Sequence, residues 1–246
     1  MAAGCDDGSA RHIAALPHGR WTMSHDYSQT DWDSINRLSK WYSGDIHDVM
    51  DKHGVYGHLK GISLFGTLGE GEVVCGPAAT VRYEPSTRTG QPQDVYHGTI
   101  DAIVRGGILM VDASCAEGSG TGELMSTGAK VAGAAATVVH GTVRDLAEVR
   151  RLGYPLFGCG YSPVGVSGRM EAMHSQVELD IGGVRVRPGD VIFGDINGVV
   201  VIPYELVGTI ADAADANGRA EADCRKRLLA GDKLRDIWPV GSSGPV

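Results

Sequence analysis

The stretch from Gly106 to Glu148, GGILMVDASCAEGSGTGELMSTGAKVAGAAATVVHGTVRDLAE, constrains the fold more than any other part of the 246-residue chain. An apolar run, a glycine-rich loop, a helical stretch of small residues, a second apolar run and a second helix follow one another. Apolar strands without polar alternation are covered on both faces, and strands alternating with helices imply a layered α/β domain. The loop Ala116 to Gly122 opens the first helix. Its glycines allow a ligand close to the free N–H groups of the first helical turn, where the dipole also favours an anion. The spacing is neither GxGxxG nor GxxxxGK[ST], because position 123 is Glu, and an ordinary tight turn accounts for the loop equally well.

Upstream, TDWDSINRLSKWYSGDIHDVMDKHG predicts two short helices, the second capped by Ser43 or Asp45 and ended by Gly54. EVVCGPAATVRY predicts a buried strand with a Gly-Pro turn inside it, and DVYHGTIDAIVRGG a helix stopped by a double glycine. Downstream, VELDIGGVRVRPGDVIFGDINGVVVIP predicts consecutive hairpins with turns at Gly182-Gly183, Pro188-Gly189 and Ile196-Asn197-Gly198, followed by a long terminal helix. These elements make one domain, residues 29–238, with mixed sheets. Residues 1–28 are polar and irregular and read as a disordered leader, with Met23 an alternative start; residues 239–246 read as a flexible tail.

Composition narrows the function. The formal charge of −8 argues against a nucleic-acid surface. Five cysteines, an odd number with no CxxC spacing, argue against a disulfide scaffold or a zinc site and for reduced thiols in the cytoplasm. No apolar run has signal-peptide or membrane-spanning length.

Arg144-Asp145 follows a buried strand and opens a helix, the position where α/β proteins build sites. Arg offers a planar fork for carboxylates and enolates, and Asp a hard oxygen for Mg²⁺ or Mn²⁺. A salt bridge with the Asp complementing the helix dipole explains the same pair. Glu123 and Glu148 add carboxylates, Glu148 on the helical face of Asp145. Asp190, Asp195 and Asn197 fall in turns, which explains them without a catalytic role. Cys115 and Cys159 are expected to be buried structural thiols, and no nucleophilic triad or GxSxG motif is present.

Taken together, Glu123, Arg144-Asp145 and Glu148 sit at a spacing that resembles the class II pyruvate aldolases of the 4-hydroxy-4-methyl-2-oxoglutarate and 4-carboxy-4-hydroxy-2-oxoadipate type. Their superfamily also holds the regulator of ribonuclease E activity A. The resemblance runs through SGDIHDVMDKHG, VVCGPAATV, GGILMVDAS, GELMSTGAKVAGAAATVVHGTVRD and VRVRPGDVIFGDINGVVVIP. Glu148, which the regulators tend to lack, leans toward the enzymes. The resemblance implies a layered β/β/α swivelling sandwich assembled as trimers or hexamers. It implies that the backbone of Gly122, Glu123, Leu124 and Met125 holds a 2-oxoacid carboxylate and that Arg144 contacts the substrate oxygens. Asp145 would be the direct ligand of a divalent cation, Mg²⁺ or Mn²⁺, and Glu123 would hold metal-bound water. Glu221, from a neighbouring subunit's terminal helix, would complete the site. The implied activity is a metal-dependent lyase releasing pyruvate from a 4-hydroxy-2-oxoacid, with oxaloacetate decarboxylation through the same enolate. Three departures from the family pattern bear on substrate: the Gly-Ser-Gly-Thr loop, His140 where Asp is usual, and the segment Cys159 to His174. They leave open an enzyme reshaped for another carbonyl substrate of secondary metabolism, alongside a non-catalytic regulator.

Overall fold

Twelve residues, Val74–Pro85, form the axis of the fold. In the computed structural model, which describes residues 26–90 and 93–237, this strand pairs along its length with three others. Its start runs antiparallel to Val191–Asp195, its middle parallel to Ile108–Asp112, and its end antiparallel to Met170–Ser175. The turn expected at Gly76-Pro77 does not form. Pro77 stays extended opposite Val191, and a Cβ on Gly76 would run into the carbonyl oxygen of Gly106. That glycine serves close backbone approach inside a strand, not chain reversal.

From this axis the ladder continues in parallel through Ala136–His140 and Leu156–Gly158 to the short edge strand Ser63–Leu64. On the other side it passes through the hairpin Val191–Asp195 and Gly198–Ile202. One segment nearly joins the two edges. Leu59 N–H donates to Val199 and Val201 N–H donates to Gly57, just before the chain enters Ser63–Leu64. The result is a mixed, nearly closed α/β sheet.

Parallel strands need cover on both faces. Helices Asp94–Asp101, Glu123–Ala132 and Leu146–Leu152 cover one face, where Tyr96, Ala129 and Val149 pack on Leu109, Val111 and Val139. The small hairpin Leu179–Ile181 and Val184–Val186 covers the other face, over Ile108, Met110, Val138 and Phe157. Helices Gln29–Leu38, Ser43–Lys52 and Val207–Leu229 close a third cluster on Phe193, Val200 and Ile202. Truncating Phe157 or Phe193, both fully buried, to Ala would cost about 3–5 kcal/mol.

Local expectations fail where tertiary contacts intervene. Neither Ser43 nor Asp45 caps the second helix. The carboxylate of Asp195 does so from the far hairpin, accepting Ser43 N–H and Oγ–H, both at 2.8 Å. The Pro188-Gly189 turn connects two different sheets, so the hairpins are not consecutive partners. Ser119–Thr121, expected in a loop, is a buried strand. The folded body also begins before Gln29. Ser28, assigned to the leader, makes a reciprocal capping box with Asp31, and Tyr27 packs on Trp32 and Tyr204 and donates to the Gly189 carbonyl. Residues 1–25 of the leader and 238–246 at the tail lie outside the described residues.

The terminal helix packs through Val207, Ile210, Ala211, Ala214 and Gly218. A Cβ on Gly218 would strike the Trp41 ring. Beyond that point the helix leaves the body, and Leu228 and Leu229 are exposed. No helix among the described residues is long and apolar enough to cross a membrane.

Candidate active site

Three short parallel strands, Ser119–Thr121, Thr142–Val143 and Gly160–Tyr161, form a crest beyond the carboxyl ends of the main parallel strands. Each continues the chain that leaves one of those strands, so the crest gathers residues at the end of the sheet where α/β proteins place ligands. Arg144 is the next residue after Val143, and its N–H donates to Thr121 at 3.0 Å.

Asp145 adopts the left-handed conformation, φ 58° and ψ 35°. Asp tolerates this region better than most side chains, but the position still costs about 1 kcal/mol. The twist turns its carboxylate away from its own helix toward Glu123–Ala132. Asp145 Oδ2 accepts the Glu123 N–H at 3.1 Å and lies 3.4 Å from Arg144 Nε. Gly122, at the cap position of that helix, has no side chain to do this. A Cβ on Gly122 would collide with Asp145 Oδ2 and come within 3.0 Å of Arg144 Cγ and Nε. On the opposite side, a Cβ on Gly165 would lie 2.9 Å from Arg144 Nη1. Two glycines from distant segments therefore make the slot that holds the arginine. Gly165 carried no signal in the sequence, since its lack of a side chain matters only once the loop folds over Arg144.

The pair lines a cavity of about 310 Å³, together with Val143, Leu146, Tyr161, Ser162 and Pro163. Among the described residues, the second oxygen of Asp145 has no hydrogen-bond partner. The first turn of Glu123–Ala132 leaves the N–H groups of Leu124 and Met125 without intrahelical acceptors. Leu124 projects into solvent, while Met125 packs on the core. Gly122 and Glu123 thus meet Arg144 and Asp145, far away in sequence, and Leu124 and Met125 follow in the first turn of the same helix, although none of the four lines the cavity itself.

Two other carboxylates lie away from this pair within the chain. Glu148 pairs with Arg151 at 2.6 Å and does not orient Arg144 or Asp145. Within the chain Glu221 lies beside Asn217 and Asp45, on the helix over the third core cluster, not beside Arg144. Burial, then the charge and hydrogen bond of Glu221, raise the Asp45 carboxyl above its ordinary range. Glu123 is at the site, with its carboxylate accepting Thr127 Oγ1–H at 2.9 Å.

Nearby, His140 Nδ1 bonds Asp112 at 3.1 Å, and Ser114 Oγ–H donates to the same carboxylate at 2.8 Å. Burial pushes Asp112 up, but these bonds outweigh it and hold the carboxyl below its usual range. Cys115 and Cys159 are exposed, contrary to expectation, because both follow strand ends instead of lying within strands. Burial of the thiol itself and the carboxylates of Asp112 and Glu84 push Cys115 up. A larger cavity, about 450 Å³, lies between helix Ser43–Lys52 and strand Gly198–Ile202. Ser43 there is bonded to Asp195 and His47 Nδ1 lies 3.4 Å from Asp51, while His47 Nε2 is buried without a hydrogen-bond partner among the described residues. The crest is the better candidate because it lies beyond the carboxyl ends of the parallel strands and brings an arginine, a carboxylate and a helix N-terminus together.

A family model described as aldolase/RraA, RraA-like, matches residues 43–201. The chain belongs to this family. It is 29% identical over 208 residues to protein DlpA of Legionella pneumophila, covering 84% of this chain but only 33% of that protein. The chain therefore spans about a third of the length of DlpA. A putative 4-hydroxy-4-methyl-2-oxoglutarate aldolase of Halalkalibacterium halodurans is 28% identical over 205 residues, 82% of this chain and 91% of that one. Among solved structures, RraAS2 of Streptomyces coelicolor, described as an unusual member of the RNase ES inhibitor RraA family, superposes with a TM-score of 0.70. Identity is 25%, over 81% of this chain and 99% of that one. The RraA-like fold is shared along nearly the whole domain.

Proposed function

We propose that this RraA-like protein is a divalent-metal-dependent lyase that cleaves a 4-hydroxy-2-oxoacid to pyruvate and a carbonyl product. The observation that carries this is Asp145. Its carboxylate commits one oxygen to Glu123 N–H and leaves the other unbonded, beside an arginine and free helix N–H groups. Among the described residues no three His, Cys, Asp or Glu side chains converge on a metal site. A cation here would rest on the one carboxylate of Asp145, with substrate and water as its other ligands, an arrangement that suits Mg²⁺ or Mn²⁺. Bound there, it would supply Lewis-acid polarisation of the 2-oxo group.

The chain's own groups account for the remaining work. The N–H groups of Leu124 and Met125 receive the substrate carboxylate, with the helix dipole behind them. Arg144, fixed in its slot, places positive charge where negative charge develops on the C2 oxygen. In the cleavage the C4 hydroxyl loses its proton and the C3–C4 bond breaks. Its electron pair passes toward the C2 oxygen as pyruvate enolate, which takes a proton at C3. Glu123, through a held water, and Glu221 of a neighbouring copy are the carboxylates that move these protons. Decarboxylation of oxaloacetate passes through the same enolate.

The active unit in this proposal is an oligomer, a trimer or a pair of trimers. The motive is the terminal helix, which leaves its own body with Glu221, Leu228 and Leu229 near or on the departing half. Mixing subunits tests it: Glu221→Ala and Arg144→Ala proteins, each inactive, should regain activity after co-refolding. No regain, with subunit exchange confirmed, places each site within one chain. The reaction itself is tested by pyruvate release from a panel of 4-hydroxy-2-oxoacids and oxaloacetate, with Mg²⁺, Mn²⁺ or chelator. The likeness to RraAS2 favours a second reading, a non-catalytic regulator acting on a protein partner. Pyruvate release that chelator abolishes rules out that reading, and its absence across the panel sinks the lyase.

A further inference from the structure

A polar row crosses the parallel strands one step beyond the core. Met110, Val138 and Phe157 are register neighbours on Ile108–Asp112, Ala136–His140 and Leu156–Gly158, and all are buried in the cluster under the small hairpin. Side chains alternate along a strand. Asp112, His140 and Cys159, two positions on, therefore continue on the same face at the carboxyl ends. Asp112 and His140 pair in register, and His140 Nδ1 bonds the Asp112 carboxylate at 3.1 Å. Ser114 donates to that carboxylate through both its N–H and its hydroxyl. Between the Val138–Phe157 and Thr142–Gly160 pairs, the His140 side has one residue more, which sets Cys159 opposite the His140–Gly141 step. Cys159 N–H donates to the Gly141 carbonyl at 2.8 Å, and its sulfur lies 4.0 Å from the Val139 carbonyl. Cys159 thus touches the residues on both sides of His140. The sequence showed no such row, because its members are neighbours only in the sheet.

A carboxylate only accepts, so the bond to Asp112 puts the imidazole proton on Nδ1 and leaves Nε2 as an acceptor. Among the described residues Nε2 has no partner. Cys159 lies on the other side of His140 from Asp112, as the strand order requires, and it is exposed. Neighbouring strands are about 4.8 Å apart, a span that thiol and imidazole cross by side-chain rotation. Because Asp112 and Cys159 flank the ring, the three groups do not converge on one point as metal ligands would. They stand instead in the order nucleophile, base and orienting group. On the far side of Asp112 the row runs on to Arg82 and His174, with Glu84 3.7 Å from Arg82 and 2.7 Å from His174.

We propose that Cys159 is a reactive thiol oxidised by hydroperoxides, with His140 as its base and Asp112 orienting that base. This site is independent of the lyase reading. The thiol proton passes to Nε2 as sulfur attacks a peroxide oxygen; the S–O bond forms and the O–O bond breaks. The leaving oxygen takes the proton from the imidazolium and departs as an alcohol, or as water from hydrogen peroxide. Sulfur is oxidised to a sulfenic acid and the peroxide is reduced. An acyl substrate would also need N–H donors aimed at an oxyanion. A hydroperoxide needs only a thiolate and a proton for its leaving oxygen, both of which the row supplies.

Hydrogen peroxide on the full, assembled protein tests this, with sulfenic acid trapped by dimedone and read at each cysteine by peptide mass spectrometry. At pH of about 7, below the ordinary thiol pKa of about 8.5, Cys159 should react faster than Cys115 in the same sample. His140→Gln, whose amide can still bond Asp112, should slow Cys159 by on the order of a hundredfold, the lower end of general-base contributions. Asp112→Asn should slow it less, because the ring loses its orienting group and not its base. At pH of about 10, where a thiol ionises without help, wild type and His140→Gln should converge. Equal rates in the two proteins at the lower pH overturn the proposal. A gap that persists at the higher pH overturns it too, since access and not activation then sets the rate. So does trapping at Cys159 no faster than at Cys115, the result expected if a neighbouring copy covers the thiol. Should His140→Gln not fold, His140→Asn replaces it, and the wild-type comparison with Cys115 stands by itself.

Discussion

Two Arg–Asp pairs in this molecule look alike in sequence and differ in kind. Arg187 and Asp190 flank the Pro188-Gly189 turn, and Asp190 is 3% exposed. Its carboxylate accepts Arg187 N–H at 2.8 Å, Arg187 Nη2 at 2.8 Å and Tyr204 N–H at 3.0 Å, while Arg187 also holds Glu205 at 2.6 Å. Every strong acceptor position has a partner. Arg144 and Asp145 are each 43% exposed and meet at a single 3.4 Å contact, with Asp145 alone on left-handed backbone. A buried pair that keeps the fold saturates its hydrogen bonds. A pair held ready for a ligand leaves capacity unused and is fixed by backbone and glycines instead. On the proposed reading, the difference separates a structural pair from a ligand-binding one where charge and residue type do not.

The largest effect should come from the saturated pair. Asp190→Ala leaves the Arg187 and Tyr204 N–H groups without their buried acceptor, and should cost about 2–3 kcal/mol in chemical denaturation. A loss below about 1 kcal/mol would erase the contrast. Asp145→Asn should do the reverse. The denaturation midpoint should stay close to wild type, because the amide oxygen can still accept Glu123 N–H. Turnover should fall on the order of a hundredfold or more, and calorimetric Mn²⁺ affinity should drop, since an amide brings no charge. Wild-type turnover and affinity would make Asp145 a second structural pair.

Gly165→Ala sharpens the comparison at the slot. A methyl group there displaces the Arg144 guanidinium without touching the core, so turnover should fall between about tenfold and a hundredfold while the melting curve holds. Equal losses in stability and turnover would mean that the loop, not the arginine, has moved. The smallest effect concerns Asp112, whose carboxyl is held below its usual range in the fold. A depressed carboxyl stabilises above its unfolded pKa, about 3.9, and loses that contribution as pH falls through the folded value. Asp112→Asn should therefore cost about 1 kcal/mol at pH 7. The gap to wild type should close in acid; a gap that persists below pH of about 2 would show that shape, not charge, matters there.

Much of this was legible in the chain. The apolar runs at Ile108–Asp112 and Ala136–His140, the small-residue helix Glu123–Ala132 and the meeting of a glycine loop with Arg144-Asp145 all follow from local pattern. Periodicity and burial are properties of contiguous residues, so sequence reports them. Gly76-Pro77 and Gly165 were not legible, because a glycine that permits a close approach looks the same as one that permits a turn. The cap of the second helix was misassigned, and that of Glu123–Ala132 unforeseen, for a related reason: Asp195 and Asp145 cap helices more than twenty positions away. By itself the sequence determined the layered α/β class, the order of its longer strands and helices, and the residue types at the candidate site, but not the strands Ser119–Thr121 and Met170–Ser175. Only the tertiary structure decided which carboxylate is saturated and which has an oxygen to spare, and which ring stands beside the cavity. Those facts depend on partners brought together across the crest, and no local pattern encodes them.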